Sequence, residues 1–188
     1  MHEATTILRQ EHDAILRMLD ATEEVARRLR NHERVEPQVL DNLLEFFRQF
    51  ADRCHHGKEE DLLFPLLEKK GMSRGGGPIG VMLMEHDQGR GLVGQMATAG
   101  KEYATGDSQA GLRWAAAAAD YAGLLREHIA KENEVLFVMA ERMLTPAEQQ
   151  ELALAFNKNE IEKMGAGTHE RLHAMMDKLL AGLQPAGR

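Results

Sequence analysis

The sequence predicts an all-α fold, an up-down-up-down four-helix bundle with one additional C-terminal helix. Three observations lead there. Ala, Leu, Glu, Met, Arg and Gln dominate while Val, Ile and Thr supply only 19 of 188 residues, so intrinsic preference favours helix nearly throughout. Apolar residues recur at three- and four-residue spacing, the period of a helix with one buried face. The segments between these stretches are short, which makes successive long helices antiparallel neighbours.

The first predicted helix, about 4–30, carries Leu8, Ile15 and Leu19 on one face. The polar stretch Asn31 to Pro37 ends it and places a proline where a helix can open. The second helix, about 36–70, then carries Leu44, Phe47, Ala51, Leu62 and Leu66. Gly71 to Pro78, with three consecutive glycines, separates it from a third helix, about 78–104, bearing Ile79, Met82, Val93 and Met96. The turn Thr105-Gly106-Asp107-Ser108 leads into a fourth, about 108–143, with Trp114, Tyr121, Leu125, Val135 and Met139. Thr145-Pro146-Ala147-Glu148 reads as a capping box that opens a fifth helix, about 146–181, which Gly165 and Gly167 are expected to bend or break. The expected organisation is a bundle over 1–143 and a helical extension packed on it over 144–188.

Charge and composition narrow the function. Twenty-three basic against thirty acidic residues give a net charge of -7, which argues against a grip on nucleic acid or an anionic membrane by charge. The lone Cys54 can form neither an intramolecular disulfide nor a thiolate metal site. The longest apolar run, Trp114 to Ala119, falls far short of the roughly 20 residues that cross a bilayer. Met1-His2-Glu3-Ala4 does not read as a signal segment, so a cytoplasmic protein without nucleic-acid or membrane partners is expected. The eleven methionines fit core filling. Nine histidines call for another explanation.

Two halves of the chain repeat. Glu11-His12-Asp13 recurs as Glu85-His86-Asp87, and His55-His56-Gly57-Lys58-Glu59-Glu60-Asp61-Leu62-Leu63-Phe64 recurs as His128-Ile129-Ala130-Lys131-Glu132-Asn133-Glu134-Val135-Leu136-Phe137. This register pairs His55 with His128 and Glu59 with Glu132, and it leaves His56 opposite Ile129 and Glu60 opposite Asn133. Histidine and glutamate at i and i+4 share a helix face, one turn apart. Of four such spacings only those at 55 and 128 repeat in register. In an antiparallel pair, residues equidistant from the turn lie at one level. The midpoints of His12 and His55, of His55 and His86, and of His86 and His128 fall in or beside the three predicted turns. Helical phase also sets each beside apolar residues: His12 with Leu8 and Ile15, His55 and Glu59 with Ala51 and Leu62, His86 with Met82, His128 and Glu132 with Leu125.

Four imidazoles and two carboxylates are therefore expected inside the bundle, a costly group to bury with nothing to bind. Such ligands suit iron, and manganese less, rather than calcium or a thiolate-seeking ion. Two octahedral ions offer about twelve positions. Four histidines and two bridging glutamates fill eight, which leaves room for an oxo or hydroxo bridge and a small ligand.

These segments resemble the hemerythrin-like, cation-binding His-His-Glu domain family over about residues 5–142. The resemblance implies a non-heme di-iron centre in a four-helix bundle, held by His12, His55, Glu59, His86, His128 and Glu132. Oxygen-carrying members have a second histidine where this chain has Arg90, and an aspartate where it has Asn133. The pattern is nearer to four-histidine, two-glutamate members that resemble iron-sulfur repair, nitric-oxide-responsive or peroxide-consuming proteins. The expected function is binding or turnover of hydrogen peroxide, oxygen or nitric oxide, catalase-like chemistry included, with a non-enzymatic iron, redox or nitric-oxide sensor or an iron donor for iron-sulfur repair as the contrasting reading, and a metal-free structural bundle behind them. The electron-donor partner is left unassigned.

Other residues receive weaker assignments. His169 and Tyr121 are candidates for a supporting role or an additional ligand, since reflection through the turn near 145 sets them opposite each other. Glu162 reflects onto His128, level with the metals but outside the bundle, and Arg90 is expected to pair with an acid or steer an anion. His56 and Glu60 are expected on a solvated face or in a rim hydrogen bond, so replacing His56 is not expected to cost metal. His2 and His32 are expected at the surface, and Cys54 packed on a neighbouring face.

Overall fold

The structure is a computed structural model that describes residues 2–183; Met1 and 184–188 of the expected domains lie outside the described residues. Among the described residues six helices follow one another and no strand occurs. They are α1 (Glu3–Arg30), α2 (37–69), α3 (Pro78–Ala104), α4 (108–143), α5 (Pro146–Met164) and α6 (Thr168–Leu183). The first four form the bundle. Among the described residues no helix is long and apolar enough to cross a membrane.

The helix ends follow the local chemistry. Pro37, Pro78 and Pro146 open α2, α3 and α5 at positions where no intrahelical N–H bond is lost. Asp107 caps α4 by accepting from the backbone N–H groups of Gln109 and Ala110, and Thr145 with Glu148 forms the expected capping box. The predicted fifth helix is two helices. Gly165 and Gly167 take φ of 82° and 81°, left-handed conformations that end α5 and turn the chain into α6.

The core has two apolar clusters with a polar layer between them. One cluster includes Met18, Val25, Phe46, Phe47, Phe50 and Trp114. The other includes Leu8, Phe64, Met82, Leu136, Phe137 and Phe156. Along each bundle helix the chain passes from one cluster to the other through a histidine: Leu8, His12, Ile15 on α1, or Met82, His86, Val93 on α3. Helix α5 contributes Leu152, Ala153 and Phe156 to the second cluster, and α6 contributes Leu172, Met176 and Leu179 to the first. Buried Gln149 accepts from Ala4 N at 3.2 Å and Thr5 N at 3.4 Å, so α5 satisfies amides that the start of α1 leaves free.

Helical phase departs from expectation in one respect. Phe47–His56 and Glu59–Leu63 in α2, and Glu132–Leu136 in α4, are π-helical, with hydrogen bonds from i to i+5. A wider turn gives a smaller angular step per residue, so consecutive side chains diverge less than in an α-helix. The second and third π segments fall at equivalent places in the repeat. The first has no counterpart in α4, which is α-helical from Ser108 to Lys131.

Candidate metal centre

The six principal residues, His12, His55, Glu59, His86, His128 and Glu132, come together in the polar layer, and none is more than 1% exposed. Glu59 and Glu132 lie at its middle. Glu132 Oε2 is 3.1 Å from His12 Nε2 and 3.3 Å from His128 Nε2, and so spans the α1 and α4 sides. Glu59 turns Oε1 toward His55 Nε2 at 3.7 Å and Oε2 toward His86 Nε2 at 3.5 Å. His86 Nε2 and His128 Nε2 are 3.2 Å apart. The arrangement has two lobes: His12 and His55 with both glutamates, and His86 and His128 with Glu59.

The outer nitrogen of each of these imidazoles is held. His55 Nδ1 donates to Glu11 Oε2 at 2.9 Å, and His128 Nδ1 to Glu85 Oε2 at 3.0 Å. His86 Nδ1 donates to Glu60 Oε1 at 2.6 Å, and His12 Nδ1 to the Asn133 side-chain oxygen at 3.0 Å. An oxygen acceptor places the proton on Nδ1 and leaves the Nε2 lone pair facing the centre. Glu11 and Glu85 also bind the ammonium groups of Lys58 and Lys131, so each half has a histidine, glutamate and lysine chain. Phe137 stacks on His12 and Phe64 on His86, with interplanar angles of 8° and 18°. Glu11, Lys58, Glu85, Lys131 and the two phenylalanines all stood inside the sequence repeat. No role was assigned to them from the sequence, and their recurrence in register is the signal that could have found them.

Charge and satisfaction test whether a metal fits. His12 Nε2, His55 Nε2 and all four carboxylate oxygens of Glu59 and Glu132 are buried without a hydrogen-bond partner. Burial pushes Glu59 well above the usual carboxylate range, and the neighbouring Glu132 charge adds to it. Burial acts to raise Glu132 as well, but His128 and His12 outweigh it and hold that group well below the range. Burial and the nearby His12 bring His55 down to about 4, so it is a neutral imidazole, the form that binds metal. A dication between the carboxylates would favour ionisation of both and engage the inward lone pairs. The residues fit a metal, and an all-nitrogen and oxygen donor set suits iron or manganese.

Several expectations need correction. His56 is not on a solvated face: it is 4% exposed, stacks on His86 with ring centroids 3.8 Å apart, and belongs to the lobe of Glu59, His86 and His128. The reason is the π-helical stretch that ends at His56, which turns both His55 and His56 inward. His169 does not face Tyr121. Its ring packs on Phe50 and its Nδ1 lies 3.1 Å from Glu160 Oε1, because the break at Gly165 to Gly167 resets the reflection drawn for one straight helix. Tyr121 packs edge-on against Phe47. Glu162 is exposed, with Lys158 3.7 Å away. Arg90 pairs with acids, donating to Asp52 at 2.8 Å, Glu60 at 2.6 Å and Asp87 at 2.9 Å. Glu60 makes a rim hydrogen bond, to His86. Cys54 is buried against Glu160, and burial with the Glu11 charge pushes its thiol up to about 12. His2 and His32 are exposed.

A cavity of about 160 Å³ leads to the centre, running from half-exposed Arg90 and Asp52 to buried His56 and His86. Gly89, Val93 and Tyr121 form part of its wall. A Cβ on Gly89 would lie 3.5 Å from the Tyr121 ring, so even a small side chain there narrows the passage.

Comparison with known proteins agrees with this geometry. A protein of Mycobacterium tuberculosis and one of Mycobacterium bovis, both named as uncharacterised, are each 27% identical over 158 residues, covering 84% of this chain and 61% of theirs. The iron-sulfur cluster repair protein YtfE of Salmonella typhimurium is 41% identical over 114 residues, covering 56% of this chain and 50% of its own. The chain thus spans half to three fifths of the length of these relatives. No solved structure matches. The hemerythrin HHE cation binding domain matches residues 3–140, and with both histidine-glutamate motifs inside that span the chain belongs to the hemerythrin HHE family.

Proposed function

We propose that this protein holds two non-heme irons and uses them to bind or turn over a small oxidant: hydrogen peroxide, oxygen or nitric oxide. The observation that supports this most is a pair of buried, unpartnered glutamates, each reaching histidines from both halves of the chain. His12 and His55 would hold one ion, His86 and His128 the other, with Glu59 and Glu132 between them. A bound iron pair supplies Lewis acidity and reversible one-electron steps at each metal. The chain's own residues orient the imidazoles through Glu11, Glu60, Glu85 and Asn133 and exclude bulk water with Phe64 and Phe137. They also admit only a small ligand past Gly89 and Tyr121.

The test is the absorption spectrum of iron-loaded protein titrated with oxygen, peroxide and nitric oxide, with oxygen evolution from peroxide measured alongside. A saturable spectral change with at least one oxidant is expected. Protein that holds two irons and responds to none would overturn the reading. Oxygen evolution above that of free iron would assign peroxide disproportionation; a spectral response without turnover would assign sensing. The similarity to YtfE favours a second reading, iron donation to iron-sulfur proteins. It is tested by following iron transfer from the loaded protein to an apo iron-sulfur protein.

A further inference from the structure

A second group of ligand-type side chains lies outside the polar layer, where α2 meets the turn between α5 and α6. Cys54 is buried, yet its thiol does not end among apolar side chains: it donates to Glu160 Oε2 at 3.4 Å. At the other oxygen of that carboxylate, His169 Nδ1 lies 3.1 Å from Oε1. Ligating atoms of all three residues lie within 4.8 Å of one another. A tetrahedral ion with bonds of about 2.0–2.3 Å spaces its donors about 3.3–3.8 Å apart, so small shifts would close the group on a single ion. The three residues come from three helices. Gly165 and Gly167 reverse the chain and bring His169 back onto α2, where its ring packs on Phe50. Charge is also in order. A Cys54 thiolate and the Glu160 carboxylate would together match a dication, while Lys58, which donates to Glu160 Oε2 at 2.6 Å, is balanced by Glu11.

We infer that Cys54, Glu160 and His169 form a second metal site, a single-ion site for zinc that is separate from the paired centre. Thiolate, imidazole and carboxylate are the donor types that zinc takes, and the paired centre offers no sulfur. On binding, the ion displaces the thiol proton and the proton between His169 and Glu160 to water. Glu160 binds through Oε1 and keeps Oε2 on Lys58. Water fills the fourth position, on the side where His169 and Glu160 are partly exposed and where the His173 ring lies 4.6 Å from that of His169. A lone cysteine cannot build a thiolate cluster, but here the fold brings it the remaining donors from far along the chain. The ion would fasten the α5–α6 turn to α2, one residue from His55.

The experiment is a cobalt(II) titration of the purified protein, with cobalt content measured alongside. Cobalt(II) substitutes for zinc, and a sulfur ligand gives it an intense near-ultraviolet charge-transfer band that sets this site apart from the paired centre. The wild-type protein is expected to develop that band to saturation, and added zinc to remove it. In Cys54→Ser and in His169→Gln the band is lost and cobalt content falls by one ion per chain. Because His169 is partly exposed, its variant keeps the test open should Cys54→Ser fail to fold. No sulfur band in the wild type at excess cobalt would overturn the inference, as would a band of wild-type intensity in His169→Gln. A band that zinc leaves in place would overturn the assignment to zinc. Failure of the paired centre to take metal would lower the cobalt count without touching this band, so the two readings fail separately.

Discussion

The two halves of the bundle solve the same problem with the same parts and differ at two positions that touch the polar layer. His12, His55, Glu59, Glu11 and Lys58 match His86, His128, Glu132, Glu85 and Lys131, each histidine directed inward by an oxygen acceptor at its outer nitrogen. The differences are Glu60 against Asn133 and His56 against Ile129. Glu60 gives His86 a charged acceptor where Asn133 gives His12 a neutral one, so His86 is the stronger donor of the pair. The shared parts build the polar layer of inward imidazoles and carboxylates; the unshared ones make its two sides distinct.

Breaking a shared part should have the largest effect. Glu132→Ala and His55→Ala are expected to lose metal by well over the roughly 10- to 100-fold that an outer partner is worth, read by chelator competition on iron-loaded protein. Retention of both irons in either variant would undo the ligand assignment. The lysines then separate the halves. Lys58 is buried, held by Glu11 and by Glu160 at 2.6 Å, whereas the Lys131 side chain is 41% exposed and can turn to water. In metal-free protein Glu11→Ala should therefore destabilise by about 3 kcal/mol and Glu85→Ala by about 1 kcal/mol, measured by urea unfolding. Equal losses would show that the two chains are equivalent.

Finer changes sharpen the comparison. Glu60→Gln should weaken metal binding about tenfold and shift the absorption of the iron-loaded protein, while Asn133→Gln, which keeps a neutral acceptor, should do less. The smallest effect concerns the first half alone, since only it carries α6 through His169 and Glu160. The hydrogen bond to Glu160 raises His169 above its ordinary value near 6.5. A raised folded value means that this contribution is fully present below about pH 6.5 and is lost as pH rises through the raised value. Because the pair is partly exposed, His169→Gln should remove only about 0.5 kcal/mol, at pH 6 and not at pH 9, in urea unfolding of the wild type and variant.

Much of this was legible in the sequence because a repeat constrains more than a composition does. Register, turn positions and apolar phase each pointed to His12, His55, His86 and His128, and the capping box at Thr145 marked the start of α5. His56 was misread because phase was counted at the α-helical step, and nothing in Phe47–His56 announces a π-helical turn before the side chains around it are packed. His169 was misplaced by treating 146–181 as straight: the glycines signalled a break, but the direction of α6 beyond it depends on where Leu172, Met176 and Leu179 find the core.

The central claim is that the two halves together hold a pair of irons bridged by Glu59 and Glu132. Mössbauer spectroscopy of 57Fe-loaded protein, with iron counted per chain, tests it most directly. The account predicts two irons per chain and, in the ferric state, a spin-coupled pair whose spectrum stays a set of quadrupole doublets at low temperature without magnetic splitting. One iron per chain, or two magnetically isolated ferric ions, would contradict it.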